Sequence, residues 1–195
     1  MVIKLYYPSG LKKEYKKNVI NYSNRGMNLE YLINNANKYY LENDIAVIHK
    51  KPTPIQLVDV DYKKNEIKKA FFKDKSTLDY NGLYRGKYID FDAKEAHTKT
   101  SFPLANIHDH QIKHMEDVLR HGGITFLIVY INDEYYIIKG EDLIIFINSN
   151  TRKSIPYSYF ENNCYKIELT LNPVLNYLKV LDDIYFKGEC IWRKK

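Results

Sequence analysis

Two aspartates and a lysine between residues 79 and 94 have the types and spacing that hydrolysis of a phosphodiester requires. The segment from Tyr88 to Lys94 alternates apolar and polar residues, so Asp92 and Lys94 share one face of a predicted strand, about 7 Å apart. Asp79 lies thirteen residues before Asp92, on the predicted neighbouring strand. Carboxylates can hold Mg²⁺ beside a scissile phosphate, and an ammonium group can neutralise charge in the transition state. The same spacing also occurs on ordinary solvent-facing strands, so both interpretations stay open at this point.

Gln111 adds an uncharged oxygen donor to this group. It falls within an apolar helical stripe made by Ile107, Met115 and Val118, so its amide is expected to face the sheet. A buried amide needs hydrogen-bond partners, which a metal-bound water or the acidic residues would provide. Backbone groups would satisfy it as well, and that is the alternative without a metal.

Hydrophobic periodicity predicts the elements that must position these residues. Helices are predicted, in chain order, at residues 29–40 and 104–120 and from Asn172 and Pro173 onward. Strands are predicted at residues 45–48, 88–94, 124–131 and 135–139, with further candidates at 143–148 and 165–171. This order indicates an α/β fold with the sheet at its centre.

The positive charge is concentrated in two segments. The chain has 195 residues, with 30 Lys and Arg against 24 Asp and Glu, and a formal net charge of +6. Residues 1–20 and residues 50–75 each carry a net charge of +4, which leaves −2 for the remainder. Such segments indicate a polyanionic partner, although solvated lysine-rich surface is the plainer alternative. We expect residues 1–21 to form a flexible basic arm.

The composition excludes several classes of protein. A chain with 45% apolar and 28% charged residues is a folded protein and not a disordered one. No uncharged apolar run approaches the roughly 20 residues of a membrane span, and the N-terminus lacks a secretory signal pattern. The two cysteines, Cys164 and Cys190, are too few for a disulfide framework or a Cys-based zinc site. We therefore expect a cytoplasmic protein with no membrane partner.

Several continuous stretches of this sequence resemble the RecU-type Holliday junction resolvases of Gram-positive bacteria. The stretches are STLDYNGLYRGKYIDFDAKE at 76–95, TSFPL at 100–104 and HDHQ at 108–111, preceded by YSNRGM at 22–27 and IAVIHKKPTP at 45–54. The resemblance implies an α/β, restriction-endonuclease-like core, in which helices flank a central mixed sheet, with a protruding basic stalk. It implies a single nuclease domain over residues 22–195, with the stalk inserted at about residues 50–75.

The resemblance also implies an activity and a set of site residues. The activity is paired, Mg²⁺-dependent nicking of four-way DNA junctions by a homodimer, in recombination and DNA repair at the nucleoid, with Mn²⁺ as a possible substitute ion. Recombinase and branch-migration proteins are expected partners. The family's metal positions fall on Thr77, Asp79, Asp92 and Gln111, and its transition-state-stabilising lysine falls on Lys94. Asp79, Asp92 and Lys94 form the catalytic set.

Asp92 departs from the family pattern, which usually has Glu at this position. The shorter side chain keeps the charge and the ligand type, and Asp90 on the same face is available for a hydrogen-bonding role. Two alternatives stay open, and Asp92 is the reason for the second of them. One is a restriction-type endonuclease that cuts ordinary duplex DNA, and the other is an inactive protein that binds junctions or regulates a recombinase.

The stalk supplies most of the residues expected to contact DNA. Its lysines would meet phosphates of several junction arms, which positions DNA without reading its bases. The expected DNA contacts are Arg25, Lys50, Lys51, Lys63, Lys64, Lys68, Lys69, Lys73 and Lys75. The histidines of the 104–120 segment and its end do not share one helix face, so we expect no zinc site among His108, His110, His114 and His121.

Overall fold

The computed structural model describes residues 28–64, 66–72 and 77–187. The predicted N-terminal arm, the expected DNA contacts Arg25, Lys73 and Lys75, and Cys190 lie outside the described residues. Among the described residues, none of the helices combines the length and apolar character needed to cross a membrane.

A mixed six-stranded sheet forms the centre of the fold. The strands of the described residues are β1 (Val47–Lys50), β2 (Ile55–Asp61), β3 (Glu66–Phe72), β4 (Tyr80–Tyr84), β5 (Lys87–Glu95), β6 (Ser101–Pro103), β7 (Ile124–Ile131), β8 (Glu134–Lys139), β9 (Ser154–Pro156) and β10 (Tyr165–Lys166). The central sheet has the strand order β1-β4-β5-β7-β8-β10. Its strands β5 and β7 run parallel and its other neighbouring strands pair antiparallel, which confirms the predicted mixed sheet.

Helices cover both faces of the sheet. They are α1 (Leu29–Glu42), α2 (Asp109–Arg120), α3 (Gly140–Ser149), α4 (Tyr157–Asn163) and α5 (Tyr177–Tyr185). Buried residues of α1 and α5 pack with Phe126 and Ile128 of β7 in one core cluster. Buried residues of α2, α3 and α4 pack with Leu127 and Val129 of the same strand in a second cluster. The predicted apolar run 124–131 is therefore a central strand that is buried on both faces.

A two-residue turn joins β4 to β5. Tyr84 pairs with Lys87 across it, and the two turn residues, Arg85 and Gly86, both have positive φ angles, of 48° and 74°. A turn of this kind matches the right-handed twist of the strands that it connects. It places β4 and β5 side by side over five cross-strand pairs.

Helix α2 begins later than its periodicity predicts. Leu104–Asn106 forms a 3₁₀ turn, and the α-helix starts at Asp109, with His108 as its N-cap. The Gln111 side chain accepts a hydrogen bond from the His108 backbone amide at 3.1 Å, which completes a capping box and fixes the start of the helix there.

The predicted strand at 143–148 is wrong, because these residues belong to α3. Leu143 and Phe146 lie one helical turn apart and are both buried, whereas Ile145 between them is 63% exposed. The apolar run 143–147 is short, and its composition alone does not separate a strand from a helix.

Two predictions in the C-terminal part also need correction. The strand predicted at 165–171 is limited to the two residues of β10. The last helix starts at Tyr177, with Asn176 at its N-cap, and not at Asn172 and Pro173, which are joined by a cis peptide bond. A proline in an irregular segment gives the same sequence signal as a proline in a first helical turn.

The strands β2 and β3 form a separate hairpin and do not pair with the central sheet. Its apolar residues are largely exposed, including Leu57, Val58 and Ile67, each more than half accessible. The hairpin therefore contributes little to the hydrophobic core, as its composition predicts. That it is a stalk for DNA stays a prediction.

Candidate active site

The face of β5 that points toward α2 carries the acidic residues. Asp90 and Asp92 are both fully buried there, and the Lys94 side chain is 20% exposed. Ile89 and Phe91, on the opposite face, lie in the core cluster beneath α1. The alternation read from residues 88–94 is therefore confirmed, and its acidic face lies inside the molecule, in a sheet interior, and not on a solvent-facing edge.

Asp79 meets Asp92 across the β4–β5 hairpin. It was predicted on the neighbouring strand and lies one residue before that strand, β4, whose first residue, Tyr80, pairs with Phe91. Burial raises the pKa of the Asp79 carboxyl above its ordinary value, and the nearby carboxylate of Asp92 raises it further. The ammonium groups of Lys94 and Lys50 oppose this shift. Two carboxylates this close favour a bound proton or a bound cation between them.

The carboxylate of Asp92 is held by donors on three sides. The Gln111 amide nitrogen donates to its Oδ2 at 2.7 Å, and Lys94 Nζ lies 2.9 Å from the same atom. The backbone amide of Ala93 donates to its Oδ1 at 2.7 Å. These donors replace the water that the buried carboxylate has lost, so β5 does not need to shift to expose it.

Gln111 connects the start of α2 to the acidic residues. Its oxygen accepts from the His108 backbone, and its nitrogen donates to Asp92 and, at 3.1 Å, to the Thr77 carbonyl oxygen. The side chain thus faces the sheet, as the helical stripe indicates. To bind a cation through its oxygen, the Gln111 side chain would have to rotate and lose its hydrogen bond with the His108 backbone N–H.

A second polar cluster lies beside the first and was not predicted as a unit. Asp90 accepts hydrogen bonds from Lys51 and Tyr88 and contacts His114 Nε2 at 2.8 Å. Lys51 also donates to the Thr77 hydroxyl at 2.9 Å. The only sequence signal for His114 is its spacing of three from Gln111, which places both on one helix face.

The residues expected to contact DNA occupy two different settings. Lys50 forms an ion pair with Glu30 at 2.5 Å, and the ammonium of Lys51 points into the buried polar cluster. The hairpin lysines Lys63, Lys64, Lys68 and Lys69 are all exposed. Contact of any of these residues with DNA stays a prediction.

The oxygen donors of the site suit a hard divalent cation. Within the described part of the chain, no three His, Cys, Asp or Glu side chains are grouped so that they could hold a metal ion. A cation at this site would therefore need the carboxylates of Asp79 and Asp92 together with oxygens of Thr77 and Gln111. Carboxylate, carbonyl and amide oxygens are the ligands that Mg²⁺ and Mn²⁺ accept. The candidate metal-binding residues thus lie together and have suitable chemistry.

Comparison with known proteins identifies the family. The model of the RecU family, recombination protein U, matches residues 24–183. A Holliday junction resolvase RecU from Geobacillus sp. (strain WCH70) is 50% identical over 94% of this chain and 95% of its own length. Proteins of the same name from Bacillus subtilis (strain 168) and Pediococcus pentosaceus are 49% and 52% identical, over 88% and 84% of this chain and 86% and 85% of their own lengths. This chain belongs to the RecU family.

Proposed function

We propose that this chain is a Holliday junction resolvase, a structure-selective endonuclease that nicks strands of a four-way DNA junction during recombination and DNA repair. The observation that carries the proposal is the buried Asp92, held between Lys94 and Gln111 and beside Asp79, in a chain of this family. A buried Asp92 that keeps Lys94 at 2.9 Å favours an active enzyme over one that only binds junctions.

Asp79, Asp92, Thr77 and Gln111 would hold the cation, with Mg²⁺ as the ion and Mn²⁺ as a substitute. When bound, the ion polarises the phosphoryl group and lowers the pKa of a water molecule. Hydrolysis forms a bond between water oxygen and phosphorus and breaks the bond from phosphorus to the 3′ oxygen, which leaves 5′-phosphate and 3′-hydroxyl ends. The proton of the attacking water leaves to solvent, and the 3′ oxygen takes up another.

Lys94 is the residue that stabilises the transition state. Its ammonium is tethered by the Asp92 carboxylate at 2.9 Å and is only 20% exposed, so its position is set before substrate arrives. Preorganised positive charge in a site shielded from water is worth more than the same charge in solution. Lys94 can therefore neutralise charge that develops on the phosphoryl oxygens.

The active form is a homodimer. Resolution requires two nicks at symmetric positions, and one chain offers one site, so a two-fold axis relating two chains matches the symmetry of the substrate. The exposed hairpin lysines would contact junction phosphates and give binding a steep salt dependence. Recombinase and branch-migration proteins at the nucleoid are the further partners that we propose.

Cleavage of a synthetic four-way junction tests the function. Purified protein with Mg²⁺ should introduce paired nicks near the crossover and leave a linear duplex of the same sequence intact. Asp79→Asn should abolish cleavage and retain junction binding, because the substitution removes a charge and keeps the shape. Lys99→Met, which removes a lysine exposed at 70% and paired with Asp133, should cleave as the parent does. Equal cutting of junction and duplex, or full activity of Asp79→Asn, would overturn the proposal.

A further inference from the structure

The carboxylate of Asp90 is fully buried, yet it is not one of the groups that would hold a cation. An ionised carboxylate inside a protein is unfavourable unless charged or hydrogen-bonding groups surround it. Asp90 has such a set. Lys51 Nζ lies 2.7 and 2.9 Å from its two oxygens, and Tyr88 and His114 each contact Oδ2 at 2.8 Å.

Lys51 joins this carboxylate to the proposed metal-binding residues. Its ammonium group donates to both oxygens of Asp90 and to the Thr77 hydroxyl, so these three contacts match the three hydrogens that it carries. Its backbone amide donates to the Asp79 carbonyl oxygen at 2.7 Å. Lys51 therefore touches Thr77 with its side chain and Asp79 with its main chain.

The segment from Thr77 to Asp79 is anchored at its centre, where Leu78 is fully buried in the second core cluster. It lies before β4 and has no regular secondary structure, so it forms no sheet ladder. The polar groups on either side of Leu78 are held by other side chains: Lys51 and Gln111 donate to the hydroxyl and the carbonyl oxygen of Thr77, and Asp92 contacts Asp79. A lysine tail by itself is flexible, and its position here depends on the carboxylate that holds it.

We propose that Asp90 is a positioning residue, which acts through Lys51 to hold the Thr77–Asp79 segment in the geometry that binds the cation. Tyr88 and His114 hold Asp90 from β5 and α2. The donors of the Lys51 ammonium are thus engaged inside the protein, and its role is to support the metal site and not to bind DNA phosphate. This inference rests on the proposed nuclease function for its purpose, but it can be measured without cleavage.

Mn²⁺ affinity, measured by electron paramagnetic resonance in the absence of DNA, is the first readout. Lys51→Met and Asp90→Asn should each weaken Mn²⁺ binding about 10–100-fold, the range observed when residues that orient metal ligands are replaced. The second readout is the affinity for a four-way junction in EDTA, which should stay within about threefold of the parent since phosphate contacts are retained. Lys99→Met is the matched control and should change neither.

The double variant Lys51→Met/Asp90→Asn protects the test against misfolding, because it removes both charges together and leaves no buried ion unpaired. If Asp90 acts through Lys51, this variant should bind Mn²⁺ no more weakly than Lys51→Met alone. Parental Mn²⁺ affinity in the folded double variant would overturn the proposal. So would a loss of junction affinity in EDTA with unchanged Mn²⁺ binding, since Lys51 would then be a DNA contact.

The two proposals fail in different ways. If the parent protein binds Mn²⁺ but cuts no junction, the proposed function is wrong, and the Mn²⁺ measurements still decide the role of Asp90. If the parent protein cuts junctions and all variants bind Mn²⁺ with parental affinity, only the positioning role is wrong.

Discussion

At the scale of single residues, Lys94 should be needed for cleavage of the junction but not for binding it. Lys94→Met keeps most of the aliphatic side chain and removes the ammonium that lies 2.9 Å from Asp92. We expect junction cleavage under single-turnover conditions to fall about 100-fold or more, as when one preorganised stabilising group is lost. Junction affinity measured in EDTA should change less than about threefold. A cleavage rate close to that of the parent would show that another group stabilises the transition state.

Glu134 gives the second prediction at this scale. Its hydrogen bonds with Lys166, Tyr136 and Tyr157 lower its pKa from 4.5 to about 2. A lowered pKa in the folded protein contributes stability that is complete above pH 4.5 and is lost as the pH falls toward 2. Glu134→Gln should cost about 1.5 kcal/mol at pH 7 in urea denaturation, with a smaller cost at acid pH.

Glu168 provides the control for that measurement. It lies 3.8 Å from the same Lys166, but its side chain is 78% exposed. Glu168→Gln should change the free energy of unfolding by less than about 0.5 kcal/mol at either pH. An equal loss in both variants would mean that the effect follows net charge and not the hydrogen bonds of Glu134.

That Asp92, Lys94 and Gln111 face one another could be predicted from the sequence, because they lie on one strand and one helix with regular periods. Alternation placed Asp92 and Lys94 on one face, and the helical stripe turned Gln111 toward it. The cluster around Asp90 could not be predicted. Lys51 and Asp90 are 39 positions apart in the chain, and no local period relates them.

At the scale of elements, the close packing of β1 on β4 at Gly82 supports the site. A Cβ at this position would lie 2.1 Å from the Val47 carbonyl oxygen and 2.7 Å from Ile48 Cα. Gly82→Ala would therefore push β1 away, at a cost of about 1–3 kcal/mol in the free energy of unfolding. Cleavage should also fall, because Lys51 directly follows β1.

The control for Gly82→Ala is Gly86→Asn in the β4–β5 turn. Gly86 has a φ of 74° and open space where a Cβ would lie, and asparagine tolerates this conformation better than most residues. The thermal midpoint of Gly86→Asn should stay close to that of the parent. Equal destabilisation in both variants would contradict the steric explanation for Gly82.

The elements that were predicted correctly have a long periodic pattern or lie fully inside the sheet. The stripe of α1 and the eight-residue run of β7 are of this kind. The prediction failed at α3 and at the start of α5, where a short apolar run and a proline each fit two structures. Tertiary packing decided between them, and periodicity does not carry that information.

At the scale of the whole molecule, the exposed hairpin should control how binding depends on salt. Lys63 and Lys64 lie at the turn between β2 and β3 and are both exposed. Replacing both with alanine should reduce the slope of log affinity against log salt by about 1.8, since each phosphate contact contributes roughly 0.9. Fluorescence anisotropy with a four-way junction between about 50 and 200 mM salt measures this slope.

A matched double variant replaces Lys38 and Lys99, which are 74% and 70% exposed and lie outside the hairpin. Its salt slope should equal that of the parent. If both double variants lower the slope by the same amount, DNA is attracted by overall charge, and the hairpin has no special place in the complex.

The two-residue turn at Arg85 and Gly86 fixes the register in which β4 and β5 pair. A slip of one residue between β4 and β5 would exchange the two faces of β5, so that Asp90 and Asp92 would enter the aromatic core and Phe91 would replace them. Such a molecule could not be stable, and it could not cleave DNA. The turn therefore selects the register in which the site can form. The specific activity of a preparation should report the fraction of chains that have folded in this register.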